Sequence, residues 1–206
     1  PVFNPNPVIT PNQPAYFQGA NASPGGFDLF MLRFTPANVR TWGTYLGGDG
    51  IEDLGRSSRP ITVNSQGIVT ITGASSSTNF PMVNPGGGAY YDSSTTNSEA
   101  IYARFSTSDS LTWSTFFGGQ GASFGTSVAT GLGDCLFGTG EFQSTIFNTP
   151  AVNPGFGAWV RTSNSGNDDG FITKFCVKAS ACCLEVGCVA VTSAAECAAM
   201  GGHAFH

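Results

Sequence analysis

The chain has 206 residues, of which 28 are glycine, 12 proline and 42 serine or threonine, with a formal net charge of −5 from 8 basic and 13 acidic side chains. Apolar residues reach 40%, 17 of them phenylalanine, which is enough for a buried core and argues against wholesale disorder. There is no 18-residue apolar run for a membrane-spanning helix and no heptad pattern for a coiled coil, and the only lysines (Lys174, Lys178) are too few for phosphate recognition, which leaves a turn-rich, weakly charged, all-β chain.

Residues 1–26 read as an extended segment or loop. The chain begins at Pro1 without a basic n-region or apolar h-region, so a secretory leader is expected to have been removed already or not to belong to this sequence. A pattern of acid, four mostly apolar residues, base and Phe then appears as Asp28-Leu-Phe-Met-Leu-Arg33-Phe34. It returns as Glu99-Ala-Ile-Tyr-Ala-Arg104-Phe105 and as Asp169-Gly-Phe-Ile-Thr-Lys174-Phe175, at spacings of 71 and 70 residues between the phenylalanines. A second element, Thr41-Trp-Gly-Thr-Tyr-Leu-Gly-Gly48, returns as Leu111-Thr-Trp-Ser-Thr-Phe-Phe-Gly-Gly119, with Trp42 and Trp113 again 71 apart. Gly67–Gly73 is echoed by Gly133–Gly140, and Phe80–Pro85 by Thr149–Pro154.

Each unit reads as strands. Residues 67–73 and 100–106 mix β-branched, aromatic and small side chains between turn residues. Asn64-Ser-Gln-Gly67 is a hairpin turn between Ile61–Val63 and Ile68–Ile71, and Ser108-Asp-Ser110 turns the chain again. A long loop is expected at about 74–98. A helix is expected only at 193–200, with Thr192 or Ser193 as its cap and Gly201-Gly202 as its stop. Summed along the chain, these elements give about nine strands, or two and a quarter propeller-like units of four antiparallel strands. That is too few to close a propeller, so the array is expected to be open as part of a longer chain, completed by neighbours, or collapsed into a compact sandwich. The division is then an N-terminal segment (1–26), a β-repeat domain (27–175) and a small disulfide-rich tail (176–206).

The cysteines are Cys135, Cys176, Cys182, Cys183, Cys188 and Cys197, an even number in a Gly/Ser/Thr-rich, lysine-poor chain. This favours disulfides and an oxidising compartment. Five lie in the tail, so either Cys135 reaches the tail or one thiol stays free or pairs between chains. His203 and His206 beside them invite zinc, but the cysteine spacings suit disulfides better. Asn167-Asp-Asp-Gly170 offers hard oxygens, yet lacks the ligand alternation of a calcium loop and reads as a turn before a strand. No metal site and no cofactor is expected. The acid and base of each repeat lie five residues apart and so on opposite faces of a strand, where they cannot meet. They are expected to face a neighbouring unit or to cap a turn. With only two histidines, both at the extreme C-terminal end, and no nucleophile-elbow or phosphate-loop motif, no catalytic residue is assigned. Trp42 and Trp113 occupy equivalent positions and read as core, whereas Trp159 and the pair Tyr90-Tyr91 lie in loops and are the candidate sugar-stacking residues.

Gly43-Thr-Tyr-Leu-Gly-Gly48, the run from Ile61 through Gly73 to Phe80-Pro81, and Glu99-Ala-Ile-Tyr-Ala-Arg-Phe105 together resemble the bacterial SBBP β-propeller repeat, across about residues 27–175. Ala181-Cys-Cys-Leu-Glu-Val-Gly-Cys188 with Thr192-Ser-Ala-Ala-Glu-Cys197 resembles a short cysteine-rich module of bacterial secreted proteins. The resemblance implies a secreted or cell-surface bacterial protein without catalytic residues. The expected function is a non-enzymatic extracellular structural protein that forms a homo-oligomer or filament, or completes a larger chain, as a fibre, layer or composite propeller. Unpaired terminal strands supply the motive. The other readings are a carbohydrate-binding adhesin module with a glycan partner and, last, a secreted hydrolase. Neither nucleic acid nor a membrane span is expected.

Overall fold

The computed structural model describes residues 15–54, 56–131, 134–143, 168–176, 180–184, 187–191 and 203–205, the last three stretches by backbone course alone. Among the described residues there is no α-helix, and thirteen strands form four antiparallel sheets. The first repeat unit contributes β1 (Leu29–Phe34) and β2 (Arg40–Leu46), which pair with each other. The second contributes β4 (Ile61–Val63), β5 (Val69–Ser75), β6 (Glu99–Phe105) and β7 (Leu111–Phe117) in meander order. A two-residue strand, β3 (Glu52–Asp53), shares the β4 edge of β5. The third contributes β8 (Ala122–Thr130), β9 (Leu136–Gln143) and β10 (Asp168–Phe175). The tail forms its own sheet, with β11 (Ser180–Leu184) between β12 (Gly187–Val191) and β13 (His203–Phe205).

The nine strands of the repeat region match the expected number and order. β3 and the three tail strands are additions. The expected helix at 193–200 lies outside the described residues. One local expectation is corrected. Asp168-Asp-Gly170 is strand rather than turn, because β10 pairs with β9 along its whole length, beginning with Asp168 opposite Gln143.

The turns form for the reasons their residues suggest. Gly67 has φ +81°, and the Asn64 side-chain carbonyl accepts from the N–H groups of Gln66 and Ile68, closing the β4–β5 hairpin. Asn38 and Asp109 sit at φ 59° and 62° in the equivalent β1–β2 and β6–β7 turns, as short polar side chains tolerate.

The units stack. β6 is buried on both faces: Ile101, Ala103 and Phe105 pack into one apolar cluster with Leu29, Trp42 and Leu46 of the first unit. Tyr102, on the other face, packs into a second cluster with Trp113, Val128, Leu136 and Phe175. A strand covered on both sides reads as a near-continuous apolar run rather than an alternation, as Ala100-Ile-Tyr-Ala103 does. Each fully buried Ile, Tyr or Phe contributes roughly 1.5–3 kcal/mol through area removed from water.

Hydroxyl groups meet across the second junction. Ser58 and Ser127 hydroxyls lie 2.8 Å apart, Thr62 and Thr130 3.3 Å, and Tyr102 and Thr173 3.0 Å. The chain between β3 and β4 reaches across as well. Ser58 and Arg59 N–H donate to the Thr126 carbonyl, and Val128 N–H donates to the Arg59 carbonyl. Gly138 is required here, since a β-carbon would stand 2.1 Å from the Tyr102 hydroxyl oxygen.

Cys135 and Cys176 form a disulfide with their Cα atoms 4.1 Å apart. Leu136 opposes Phe175 in the β9–β10 register, so the bridge continues that ladder by one step. Cys135 therefore does reach a tail cysteine. The side chains of Cys182, Cys183, Cys188 and Cys197 lie outside the described residues, although the β11–β12 register sets Cys183 opposite Cys188. The bond closes a loop of 41 residues, which on the chain-entropy account stabilises the fold by about 4 kcal/mol. Replacing both cysteines with serine is expected to lower the unfolding free energy by an amount of that order in urea titration. Unchanged stability would show that the bridge is incidental.

Candidate interaction surfaces

Two aromatic anchors join the loops to the sheets in the same way. Trp42 is buried on β2, and its indole N–H donates to the Tyr16 carbonyl at 3.0 Å. Trp113 is buried on β7, and its indole N–H donates to the Tyr90 carbonyl at 2.9 Å. Buried indoles need such an acceptor. The loops then extend along the outer strand: Tyr45 N–H donates to the Gln18 carbonyl, and Phe116 N–H donates to the Asp92 carbonyl. Tyr90, singled out from sequence as a stacking candidate, places its ring 5.7 Å from Phe117 and 5.8 Å from Phe175. Burial pushes its phenol up to about 12, with the carboxylates of Asp92 and Glu99 adding to the rise. Tyr91 is half-buried. Trp159 lies outside the described residues.

The shared role of Tyr16 and Tyr90 exposes a repeat element that the first alignment missed. Asn84-Pro-Gly-Gly-Gly-Ala-Tyr90 matches Asn153-Pro-Gly-Phe-Gly-Ala-Trp159, and Ala15-Tyr16 is the first copy. Trp159 therefore has repeat partners in Tyr90 and Tyr16. The Asn-Pro-Gly-x-Gly-Ala run was the available signal.

The first two repeat acids act as loop caps. Asp28 accepts from the Gln18 side-chain amide at 2.6 Å and from Ala22 N–H at 2.8 Å, and its other oxygen is buried without a hydrogen-bond partner. Glu99 accepts from Thr96 N–H at 3.3 Å. Asp28 is joined by Glu52, a buried carboxyl that accepts from Ser75, Ser77 and Gly48 N–H. Both carboxyl groups lie against Gly47, within 2.6 Å of where a β-carbon would sit. In the next unit Glu99 lies against Gly118, and Ser123 takes the place of Glu52. Burial raises the Glu52 pKa, its three hydrogen bonds oppose the rise, and Asp28 adds to it. Burial pushes Glu99 up to about 7, against the Thr96 hydrogen bond and with help from Asp92.

The first two repeat bases turn towards the following unit, and the third turns to its own sheet. Arg33 pairs with Asp109 in the β6–β7 turn at 2.9 Å. Arg104 is half-buried, which lowers its pKa, and Asp134 opposes that shift. Lys174 lies over the Phe137 ring at 5.7 Å. The acid and base of one repeat do not meet. Among the described residues no three His, Cys, Asp or Glu side chains gather closely enough to hold a metal ion.

The most informative surface is an asymmetry between equivalent strands. Ile101, Ala103 and Phe105 of β6 are 0%, 0% and 1% exposed, and Phe171 and Thr173 of β10 are 9% and 6% exposed. The equivalent Phe30, Leu32 and Phe34 of β1 are 38%, 42% and 51% exposed. Tyr45 joins this open face, 5.2 Å from Phe30. The opposite pattern holds at the other end. Tyr102 is fully buried, while its equivalent Ile172 on β10 is 82% exposed, beside exposed Phe137 on β9. β1 is thus covered only on its Leu29–Met31 side, and β10 only on its Phe171–Thr173 side. Among the described residues nothing pairs with the outer edge of β1 or of β10.

No protein-family model matches the chain, and no curated protein matches it.

Glu99 makes the structure sensitive to pH. Its carboxyl titrates near 7 in the fold but near its ordinary 4.5 when unfolded, so above about pH 4.5 the unfolded chain holds fewer protons than the native one. Its contribution is complete at low pH and is lost as pH rises towards 7 and beyond. Glu99→Gln is expected to flatten the fall in urea stability between pH 5 and pH 8 by on the order of 1–3 kcal/mol. Identical pH slopes for the two proteins would remove this role.

Proposed function

We propose that the chain is a non-enzymatic, extracellular structural protein of the bacterial cell surface, and that its repeat units assemble with copies of itself or a larger chain into a fibre, layer or composite propeller. The open Phe30–Leu32–Phe34 face carries this reading. The same face is buried in the second and third units, and an apolar face of this kind in water favours a partner. Among the described residues no strand pairs with the outer edge of β1 or of β10, which supports it as well, since an edge strand is a template for another. The Cys135–Cys176 disulfide and the scarcity of lysine accord with an oxidising, extracellular setting. The resemblance to the SBBP repeat supports a propeller-like arrangement of the units. A glycan-binding role has less support, because the Tyr90 ring is engaged between Phe117 and Phe175 rather than offered to solvent as a platform.

The purified chain is expected to sediment as species larger than a monomer at micromolar concentration. These should persist at high salt, because the faces involved are apolar and screening leaves their attraction intact. A single monomeric boundary at every concentration would overturn the reading.

A further inference from the structure

We propose that the assembly is head to tail: the Ile172-bearing face of β10 in one copy docks on the Phe30–Leu32–Phe34 face of β1 in a second copy. This inference rests on the assembly reading above and specifies the surfaces that meet. The two junctions inside the chain supply the geometry. At the first, the Leu29–Met31 side of β1 and Trp42 meet the Ile101–Ala103–Phe105 side of β6, with Trp42 and Phe105 rings 5.8 Å apart. At the second, the Tyr102 side of β6 and Trp113 meet the Phe171–Thr173–Phe175 side of β10, with Phe175 5.1 Å from Tyr102 and 5.2 Å from Trp113. In both cases the same side of one unit covers the same opposite side of the next.

Continuing this order leaves one surface of each kind unused. The 172 side of the third unit is the surface that covers, and the 30/32/34 side of the first is the surface that is covered. They are complementary by repeat equivalence and differ from each other, so the contact they form is heterologous. A third observation supports the direction. Arg33 reaches forward to the Asp109 turn, and its equivalent Lys174 is exposed on the 172 side. The turn it would meet in a second copy holds Asn38, which has the same positive φ as Asp109. The contact is therefore apolar at Ile172, Phe137, Phe30, Leu32 and Phe34, with one polar pair at the rim.

Two variants of the full chain test the proposal. Leu32→Asp and Ile172→Asp each place a charge at an exposed position. Each alone is expected to weaken association at least tenfold in sedimentation equilibrium. Mixed in equal amounts, they are expected to form a dimer and nothing larger, because each retains the surface the other has lost. Recovery of that dimer also shows that both variants are folded. If Ile172→Asp assembles as the parent does while Leu32→Asp does not, like faces pair with each other or another element covers β1, and the head-to-tail proposal fails while the assembly reading stands. The same holds if both variants assemble normally, or if their mixture stays monomeric while the parent assembles. A monomeric parent chain overturns both.

Discussion

The structure depends on covering the third strand of each unit with a neighbouring unit. In β6 the cover is on both sides, with Ile101 and Phe105 facing the first unit and Tyr102 facing the third. Among the described residues no sheet is wide enough to fold back on itself. The second has four main strands and the third three among the described residues. A single such sheet has too little apolar area to offset the entropy of ordering its chain, so stability must come from the contact between sheets. The Trp-bearing strand supplies that contact. Trp42 and Trp113 each bury a large ring against the phenylalanine ending the next unit's third strand and fix it with one indole hydrogen bond to a loop carbonyl.

Such stacking brings polar backbone and hydroxyl groups into the interior, and the chain satisfies them largely without ions. Thr44, Thr72, Thr115, Ser75, Ser114 and Ser123 are all fully buried. Ser114 donates to the Pro81 carbonyl and accepts from Val83 N–H, and Ser123 bridges Phe117 and Ala100 in the same way. A hydroxyl can donate and accept at once, so one small side chain can tie a loop to a strand without burying charge. This gives physical meaning to a composition of 42 serines and threonines against 21 charged residues. The exceptions are Glu52 at Gly47 and Glu99 at Gly118, where the chain retains an acid and burial raises its pKa.

Much of this was legible before any coordinates. The period of 70–71 residues, the strand pairs around it and the two polar turns follow from pattern and turn chemistry. β3 was not legible, because two residues have no periodicity. Asp168-Asp-Gly170 was read as a turn because its residues favour one, and pairing with β9 overrides that preference. The open face was invisible for a different reason. Phe30, Leu32 and Phe34 read like Ile101, Ala103 and Phe105, since an apolar residue looks the same whether its cover is present or not. The tyrosine loop was missed because its functional group is a backbone carbonyl, which carries no side-chain signature. Only the Asn-Pro-Gly frame around it repeats.

In the third unit a covalent bond takes the part that a fourth strand plays in the second. β6 is held along both edges, by β5 and β7, whereas among the described residues β10 is held along one edge by β9. A strand paired on one edge frays more readily at its ends, and Phe175, which seats against Trp113 and Tyr102, is the last residue of β10. The disulfide acts at that point. Cys176 follows Phe175 directly and is joined to Cys135, the residue before β9. The covalent bond holds the end of β10 in register where β7 holds β6 by hydrogen bonds. It thereby keeps Phe175 in the aromatic cluster that joins the second unit to the third.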